Sequence, residues 1–414
     1  MAESRRRGPL VALFAANAIS MAGNVAALVA IPWFVLQTTG SASRTGITAA
    51  AAIVPVVVSG IFGGTIVDRL GYRRTSIVAD LASAGAVAAI PLLDATVGIA
   101  FWQLVALVFL GGLLDTPGVT ARAALLPDLA ALAGWSLERA SGVAAAVERA
   151  SRLAGAPVAG VLIAVVGATN VLWVDAASFL VSALVIVVAI PRRPRADLGD
   201  DERPRYLDEL RAGIAFLRGD RTLATLIGVV TLTNMLDAVS IVVLPVYAAT
   251  VFGDALSFGL LMGVAGAGAL LGALAFSAVG ERLSRRNVFI WGFAVTTLWY
   301  PVAATFPPLA VLLVARLVSG FGAGPLNPVI DTVFFERIPD GLRGRVFGVS
   351  AAAAWIAMPI GVLVAGPAIE FAGLRPTLLV VGTIYLTVVL AGLLLPSLRG
   401  MDRATTTGSG ARGR

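Results

Sequence analysis

The chain consists mostly of apolar runs about 20 residues long, the length at which a helix crosses roughly 30 Å of hydrocarbon. Hydrophobic residues make up 58% of the 414 residues and charged residues only 13%, which leaves too little polar surface for a soluble protein. The strands of an outer-membrane barrel would be shorter and would alternate polar with apolar residues, and these runs do not. The sequence therefore predicts a bundle of membrane-spanning helices.

The chain also reads as two related halves. Asp68-Arg69-Leu70 is followed by a pair of arginines, and about 213 positions later so is Glu281-Arg282-Leu283. The same shift relates Asn24 to Asp237, Pro32 to Pro245 and Gly46 to Gly259. Duplicated apolar chains are typical of secondary transporters, which bind substrate where two halves meet near the bilayer midplane.

The apolar runs predict twelve spans, six in each half. The first six are predicted near residues 10–37, 46–67, 75–95, 98–119, 141–166 and 170–190. The second six are predicted near residues 222–250, 256–280, 288–305, 308–332, 346–371 and 375–397. The expected fold is an all-α membrane protein of two pseudo-symmetric six-helix bundles, residues 1–190 and 222–398, with a linker (191–221) and a disordered tail (399–414).

Arginine separates the predicted loops into two sets. One set, which includes both termini and the linker, holds nearly all the loop arginines, and the other holds only Arg44 and Arg375. Positive charge remains on the cytoplasmic side, so we expect both termini in the cytoplasm and an inner or plasma membrane location. The apolar stretch after the N-terminal arginines continues past Trp33 without a cleavage site, which indicates a first span and not a signal peptide.

Several residue types are missing, and their absence excludes whole classes of chemistry. The chain has no Cys, His or Lys, and all 31 basic residues are Arg. Zinc, haem and thiol chemistry lose their usual ligands, and a Walker-A phosphate loop cannot form without Lys. We expect no cofactor, metal, nucleotide or nucleic-acid partner, no enzymatic activity, and a monomer in the lipid bilayer.

The linker contains an amphipathic segment. Tyr206, Leu207, Leu210, Ile214 and Leu217 recur at helical spacing with charged residues between them. This pattern predicts a helix at the cytoplasmic interface, and a plain tether between the halves is the alternative.

The loop between spans two and three, residues 63–74, resembles the signature loop of the major facilitator superfamily. It has glycine, then Asp-Arg four residues later, then glycine and paired basic residues, with a degenerate copy from Gly280. The resemblance implies a cytoplasmic gate. We assign to it Gly64, Asp68, Arg69, Gly71, Arg73 and Arg74, with Asp115 and Arg122 at the end of span four and Glu281 and Arg282 in the copy.

Other stretches resemble the enterobactin-exporter and macrolide-efflux branch of that superfamily, and the likeness covers about residues 10–400. These are Trp173 to Phe179, and Gly111-Gly112 to Pro127-Asp128. Span five is similar to the Gly-Pro motif of drug antiporters, with Ala156 where glycine usually precedes proline. This implies hinge positions at Gly155, Pro157, Gly160 and Pro359, which otherwise are simple helix kinks.

Ionisable residues inside spans are functional candidates because each is costly in the membrane. Asp237 in span seven and Arg316 in span ten lie at similar predicted depths, roughly 22 Å from one side and 12 Å from the other. In the superfamily these spans line the central cavity, so the two residues are expected to pair there, with Asn24 as the uncharged partner position in span one. Asp237 is the leading candidate for binding the coupling proton, and a static ion pair is the alternative.

Further candidates complete the site. Asp175 in span six and Glu148 in span five are secondary proton-coupling residues, although Glu148 also fits an inner charged gate. The predicted substrate cavity consists of Asn24, Trp33, Asn234, Asp237, Tyr247 and Arg316.

The expected function is export of a bulky amphiphilic small molecule, drug-like or siderophore-like, by proton antiport with alternating access. An importer or uniporter on the same fold is the first alternative. A membrane-embedded enzyme or a receptor is the second, and it is disfavoured because the chain offers neither clustered ligands nor a large soluble domain.

Overall fold

The computed structural model of the protein describes residues 7–192 and 206–402, and within them the side chains of residues 60–69, 206–210, 340 and 344 are not described. The described residues fold into α-helices joined by short turns. The all-helical membrane fold predicted from the apolar runs is confirmed.

The first half consists of six continuous helices. Their bounds are α1 (Gly8–Thr39), α2 (Ala42–Leu70), α3 (Tyr72–Thr96), α4 (Phe101–Ala133), α5 (Leu137–Val166) and α6 (Ala168–Ala189). Very short turns join them, and Gly71 between α2 and α3 has φ +81°, a left-handed conformation that favours glycine. Helix α1 packs on α5 and α6, and α3 packs on α4 and α6.

A linker helix, nine further α-helices and four short helical turns make up the rest of the helical structure in the described chain. The linker helix is α7 (Tyr206–Gly219). The second half contains α8 (Arg221–Tyr247), α9 (Ala255–Val279), α10 (Arg285–Thr296), α11 (Trp299–Ala303), α12 (Leu309–Ala323), α13 (Leu326–Arg337), α14 (Arg343–Ile356), α15 (Met358–Ala372) and α16 (Leu374–Leu394). A π-helical turn, Ala248–Phe252, extends α8, and a 3-10 turn, Pro396–Met401, follows α16.

In the described part of the chain, eleven helical segments are long and apolar enough to cross a membrane, once α12 with α13 and α14 with α15 are each taken as one crossing. The twelfth crossing is α10 with α11, which a turn at Thr297 and Leu298 interrupts. Each predicted span therefore has a helical counterpart, and the interruptions are confined to the second half.

Two predicted boundaries were wrong. Helix α4 runs on to Ala133, well past the predicted end at residue 119, because the residues after Arg122 are mostly Ala and Leu and favour helix despite Pro127. The tail predicted to be disordered from residue 399 begins with a structured turn, in which Met401 is buried and Asp402 accepts a hydrogen bond from the Ser284 hydroxyl at 3.0 Å. The remainder of the tail lies outside the described residues.

The predicted linker helix is present as α7 and packs on α14. Gly213 makes the close approach possible, since a Cβ there would meet Val349 and the Arg345 carbonyl oxygen at about 3.0 Å. The rest of the linker, residues 193–205, lies outside the described residues.

The two halves touch at one end of the bundle, where α1 joins α2 and α8 joins α9. Gly46 of α2 packs on the Val362 carbonyl oxygen of α15, and Gly259 of α9 packs on the Ala156 carbonyl oxygen of α5. We call this the sealed end, and the opposite end, where α2 joins α3 and α16 terminates, the Arg-rich end. The two glycines are related by the repeat in the sequence, so the halves close on each other through equivalent positions.

Candidate functional site

Four ionisable side chains meet inside the first half. Asp80 of α3, Asp115 and Arg122 of α4 and Asp175 of α6 form what we call the N-half ionic cluster. The Arg122 guanidinium donates to Asp80 Oδ1 at 2.6 Å, and its other terminal nitrogen lies 3.8 Å from Asp115 Oδ1. Asp80 is fully buried and Arg122 is 2% exposed, so this ion pair is shielded from water.

Helical spacing on α1 and α6 supplies the polar partners of the cluster. Ser20 and Asn24 lie one turn apart on α1. The Asn24 amide donates to Asp115 Oδ2 at 3.0 Å, and Arg122 donates to Ser20 Oγ at 3.4 Å. On α6 the Ser182 hydroxyl donates to Asp80 Oδ2 at 2.7 Å. These contacts join four helices through buried polar groups.

The cluster contains more acidic groups than cations. Asp80 and Asp115 share the Arg122 guanidinium, and Asp175 forms no salt bridge among the described residues. Asp175 is 1% exposed and packs beside Gly23 of α1, and its Oδ2 has no hydrogen-bond partner among the described residues. Asp115 Oδ1 likewise accepts no hydrogen bond there. Because buried charges are stable only when paired, the cluster has a capacity to bind positive charge.

A cavity of about 310 Å³ adjoins the cluster between α1, α4 and α5. This volume lies at the lower end of the range for small-molecule sites. Polar groups line it at Asn17, Ser20, Asn24, Arg122, Ser141 and Glu148, and the apolar walls include Leu13, Met21, Val119 and Leu126. A mixed wall of this kind suits a molecule with both apolar and polar parts.

The interior of the second half is aromatic. The Tyr385 hydroxyl of α16 donates to Asp237 Oδ2 at 2.8 Å, and the Tyr300 hydroxyl donates to the Leu236 carbonyl at 3.1 Å. The Tyr300 and Tyr385 rings meet at 6.4 Å between centroids. Asp237 therefore has a neutral hydrogen-bond donor as its direct partner.

The expected ion pair between Asp237 and Arg316 is not formed in this structure. The Arg316 guanidinium donates to the Leu261 carbonyl at 3.3 Å and lies over the Trp299 ring at 4.7 Å, although Asp237 and Arg316 are near enough to interact electrostatically. Their similar depth in the membrane did not determine which way each side chain points.

Four other predicted cavity residues take different places. Asn24 belongs to the N-half ionic cluster and also lines the cavity. Asn234 donates to the Ala354 carbonyl at 3.0 Å and holds α8 to α14. Trp33 is 4% exposed and stacks on Phe258 across the two halves, and Tyr247 is fully buried against Phe252 and Phe306. Trp33 and Tyr247 are packing residues at the sealed end and do not line the cavity described above.

The gate residues predicted at the end of span four are also misplaced. Asp115 and Arg122 lie in the middle of the long helix α4, inside the ionic cluster, because α4 extends beyond both. Arg73 donates to the Ile190 and Val187 carbonyls at 2.8 and 2.7 Å and thereby caps α6. Glu148 is half-exposed and pairs with Arg152 one turn along α5, at the wall of the cavity.

The remaining predicted gate residues are either exposed or have side chains that the structure does not describe. Arg74, Glu281 and Arg282 are exposed at the Arg-rich end. Gly64, Asp68 and Arg69 lie in the last turns of α2, and their side chains are outside the described residues.

The predicted hinge in α5 is a contact between the halves. Helix α5 continues through Pro157, whose ring packs on Gly263 of α9, while Gly160 packs on Gly259. Gly155 packs on Val25 of α1. Only Pro359 lies at a helix interruption, directly after the break between α14 and α15.

Sequence reasoning missed Tyr385, Ser20 and Ser182 as partners of the buried charges. One signal was available on α6, where Asp175, Ser178 and Ser182 follow a helical stripe in an otherwise apolar segment. Tyr385 gives no such signal, since a tyrosine in a span is usually a packing residue.

Comparison with known proteins shows which family this chain matches and which proteins it is similar to. Residues 6–410 match the MFS_3 family, described as "Transmembrane secretion effector". The chain is 34% identical to the multidrug efflux pump Tap of Mycolicibacterium fortuitum over 408 residues, covering 97% of this chain and 98% of that protein. It is 23% identical to macrolide efflux protein A of Streptococcus pyogenes, covering 94% and 96%.

Two solved structures have the same fold at low sequence identity. The nucleoside transporter NupG, as a D323A mutant, superposes with a TM-score of 0.79 at 14% identity, covering 93% of this chain and 99% of that one. A D-xylose–proton symporter superposes with a TM-score of 0.72 at 15% identity, covering 94% and 98%.

The family match and the similar efflux proteins identify the chain as a multi-pass membrane transporter of the major facilitator superfamily, and the two solved structures have the same fold. Within it, the chain belongs to the transmembrane secretion effector family and is an efflux transporter.

Proposed function

We propose that this protein exports a bulky amphiphilic small molecule, drug-like or siderophore-like, across the cell membrane in exchange for protons. Both termini and the Arg-rich end face the cytoplasm, and the sealed end faces outside. The direction and the breadth of substrate are supported by relatives named multidrug and macrolide efflux proteins.

The observation that carries the proton coupling is the excess of carboxyl groups in the N-half ionic cluster. Asp80 and Asp115 share Arg122, Asp175 forms no salt bridge among the described residues, and Asp115 and Asp175 each have an oxygen without a hydrogen-bond donor there. A proton on Asp115 or Asp175 removes a charge that is otherwise uncompensated in the membrane, where each such charge costs several kcal/mol.

The geometry also supports coupling between the proton site and the substrate site. Asn24 and Arg122 contact Asp115 and also line the cavity, so an occupant of the cavity changes the surroundings of that carboxyl group. Substrate binding then favours proton release, and proton binding favours substrate release. Asp237, with its Tyr385 partner, is a second position at which a proton can load.

The test measures cellular accumulation of dyes, macrolides and catecholate siderophores, with and without a protonophore. Wild type is compared with Asp115→Asn, Asp175→Asn and Asp237→Asn. Asp128→Asn is the matched control, because it makes the same change on α4 at an exposed position. We expect lower accumulation of at least one compound in wild type and in the control, lost with the protonophore and in Asp115→Asn.

Everted membrane vesicles with an acid interior separate coupling from passive transport. Addition of a transported compound is expected to release protons from wild-type vesicles and not from Asp115→Asn vesicles. Efflux that persists with the protonophore would contradict antiport, and raised accumulation in cells would indicate an importer. Loss of coupling in Asp237→Asn alone would move the proton site to the second half.

A further inference from the structure

A carboxylate of the second half binds the beginning of a helix in the first half. Glu370, in the last turn of α15, accepts hydrogen bonds from the Ser41 hydroxyl at 2.7 Å and from the Ser43 backbone amide at 2.9 Å. Its other oxygen accepts the Ser43 hydroxyl. Ser41 and Ser43 belong to the turn before α2 and to its first turn. Three hydrogen bonds therefore cross between the halves at the sealed end.

The repeat shows that this arrangement replaces an ordinary helix cap. Helix α9 is the counterpart of α2, and its cap, Asp254, accepts the Ser257 amide at 2.7 Å from within the same half. The repeat shift places Ser41 at the position of Asp254. The Ser41 hydroxyl caps only the Arg44 amide, at 3.1 Å, so α2 has no acidic cap of its own and takes a carboxylate from the other half.

Close packing brings Glu370 within reach of α2. Gly366, one turn before Glu370 on α15, lies against the backbone of Ala42 and Ser43. The nearest cation on α2, Arg44, lies over the Phe101 ring at 5.2 Å and forms no ion pair with Glu370. The carboxylate therefore acts on the α2 terminus alone.

We propose that Glu370 is an interdomain cap that stabilises the closed sealed end and is released each time that end opens. Because an N-terminal cap is worth about 0.5–2 kcal/mol, its loss is expected to shift the equilibrium between closed and open by about 2- to 30-fold. The inference rests on the proposed alternating access, and it requires no particular substrate or coupling ion.

The natural absence of cysteine allows a direct test in the full-length protein. Ala156 is buried on α5, and its carbonyl oxygen packs on Gly259 of the other half, so Ala156→Cys reports opening of the sealed end. Val97 is 75% exposed in the loop at the same end, so Val97→Cys reports constant access. Both are labelled on intact cells with a membrane-impermeant maleimide, and the rates are compared.

Glu370→Ala is expected to raise the labelling rate of Ala156→Cys by about 2- to 30-fold and to leave Val97→Cys unchanged. Asp254→Ala is the matched control, since it removes the cap of α9 within one half and is expected to leave both rates unchanged. Equal Ala156→Cys rates in wild type and Glu370→Ala, or an equal rise in Asp254→Ala, would overturn the proposal.

A double variant distinguishes loss of the contact between the halves from fraying of the N-terminus of α2. Ser41→Asp gives α2 its own acidic cap and, combined with Glu370→Ala, restores the cap without the contact between the halves. We expect labelling to remain fast in the double variant, and a return to the wild-type rate would show that only helix capping was lost. If Val97→Cys itself is not labelled from outside, the proposed orientation is wrong. This control therefore distinguishes a wrong orientation from failure of the cap proposal.

Discussion

The two halves of this transporter share a topology and differ in how their interiors are built. The first half has six uninterrupted helices around an ionic cluster, whereas four of the six spans in the second half deviate from continuous α-helix within the described residues. The second half packs its interior with aromatic rings, among them Phe289, Phe293, Tyr300 and Tyr385. Duplication has kept the helix layout and allowed the interiors to diverge.

The repeat makes the divergence visible at single positions. The shift that relates the halves carries Asp80 to Phe293 and Arg122 to Phe335. Phe293 is buried and contacts Tyr385, so an ion pair in one half corresponds to an aromatic contact in the other. We conclude that, among the described residues, the ion pair with both members fully shielded from water lies in the first half.

Proline alone does not explain which helices are interrupted. Pro32, Pro91 and Pro157 lie inside continuous helices of the first half. In the second half, Pro325 and Pro359 lie at the breaks within spans ten and eleven. A span is less rigid where its helix is broken. Spans ten and eleven can therefore bend at these breaks when the halves separate.

The largest expected difference between the halves concerns their buried arginines. Arg122→Leu leaves Asp80 as an uncompensated buried carboxylate, which is expected to cost about 3–5 kcal/mol. Arg316→Leu removes one hydrogen bond to a carbonyl and one cation–π contact and should cost about 1–2 kcal/mol. Thermal unfolding in detergent measures both, and the double variant Asp80→Leu with Arg122→Leu should recover the part of the loss that comes from Asp80. Equal costs for the two arginines would contradict the comparison.

The glycine contacts between the halves provide the next test. Gly46→Leu and Gly259→Leu introduce side chains where carbonyl oxygens of the other half now lie, and should destabilise the closed sealed end by about 1–3 kcal/mol. Transport should fall while the protein still inserts and folds. Gly228→Leu is the control, because no atom lies within 4 Å of a Cβ there. If only one of the two seam variants impairs transport, the seams are not equivalent.

A smaller effect is expected where the first helix of each half begins. Asp220 accepts the Thr222 and Leu223 amides at 2.8 and 3.1 Å and pairs with Arg337, whereas Arg7 at the start of α1 makes no side-chain cap. Asp220→Ala should cost about 0.5–2 kcal/mol, and Arg7→Ala almost nothing.

The cost of Asp220→Ala should depend on pH. Burial opposes ionisation of Asp220, but the hydrogen bonds from Leu223, Arg337 and Thr222 outweigh it and hold its pKa below the ordinary value of 3.8. The contribution is therefore complete above pH 3.8 and is lost as the pH falls through the lowered pKa. Unfolding temperatures of wild type and variant should converge in acid, and a difference that grows in acid would refute this sign.

The smallest expected effect is one that the halves share. Arg73 caps the end of α6, and Arg286, its repeat counterpart, donates to the Leu393 carbonyl near the end of α16. Arg73→Ala and Arg286→Ala should each cost about 0.3–1 kcal/mol. Similar shifts in unfolding temperature would support a common structural role. A loss of transport in Arg73→Ala alone would support the predicted role of Arg73 in the cytoplasmic gate.

The sequence located most of the site residues along their helices, but it did not show which residues they contact. Asp237, Arg316 and Asp175 were identified as buried charges because ionisable residues stand out in apolar runs. The predicted pairing of Asp237 with Arg316 was wrong because similar depth does not specify rotation about each helix axis. Asp115 was taken for a gate residue because an apolar-run boundary at Arg122 concealed the continuation of α4.

The sequence by itself determined the number of spans, the duplication and the separation of arginine to one end. These follow from local composition and periodicity, which one chain displays directly. Only the tertiary structure decided that Arg122 binds Asp80 and that Glu370 caps α2 from 327 residues away. Those contacts depend on how whole helices rotate and close against one another, and that is set by packing summed over the entire bundle.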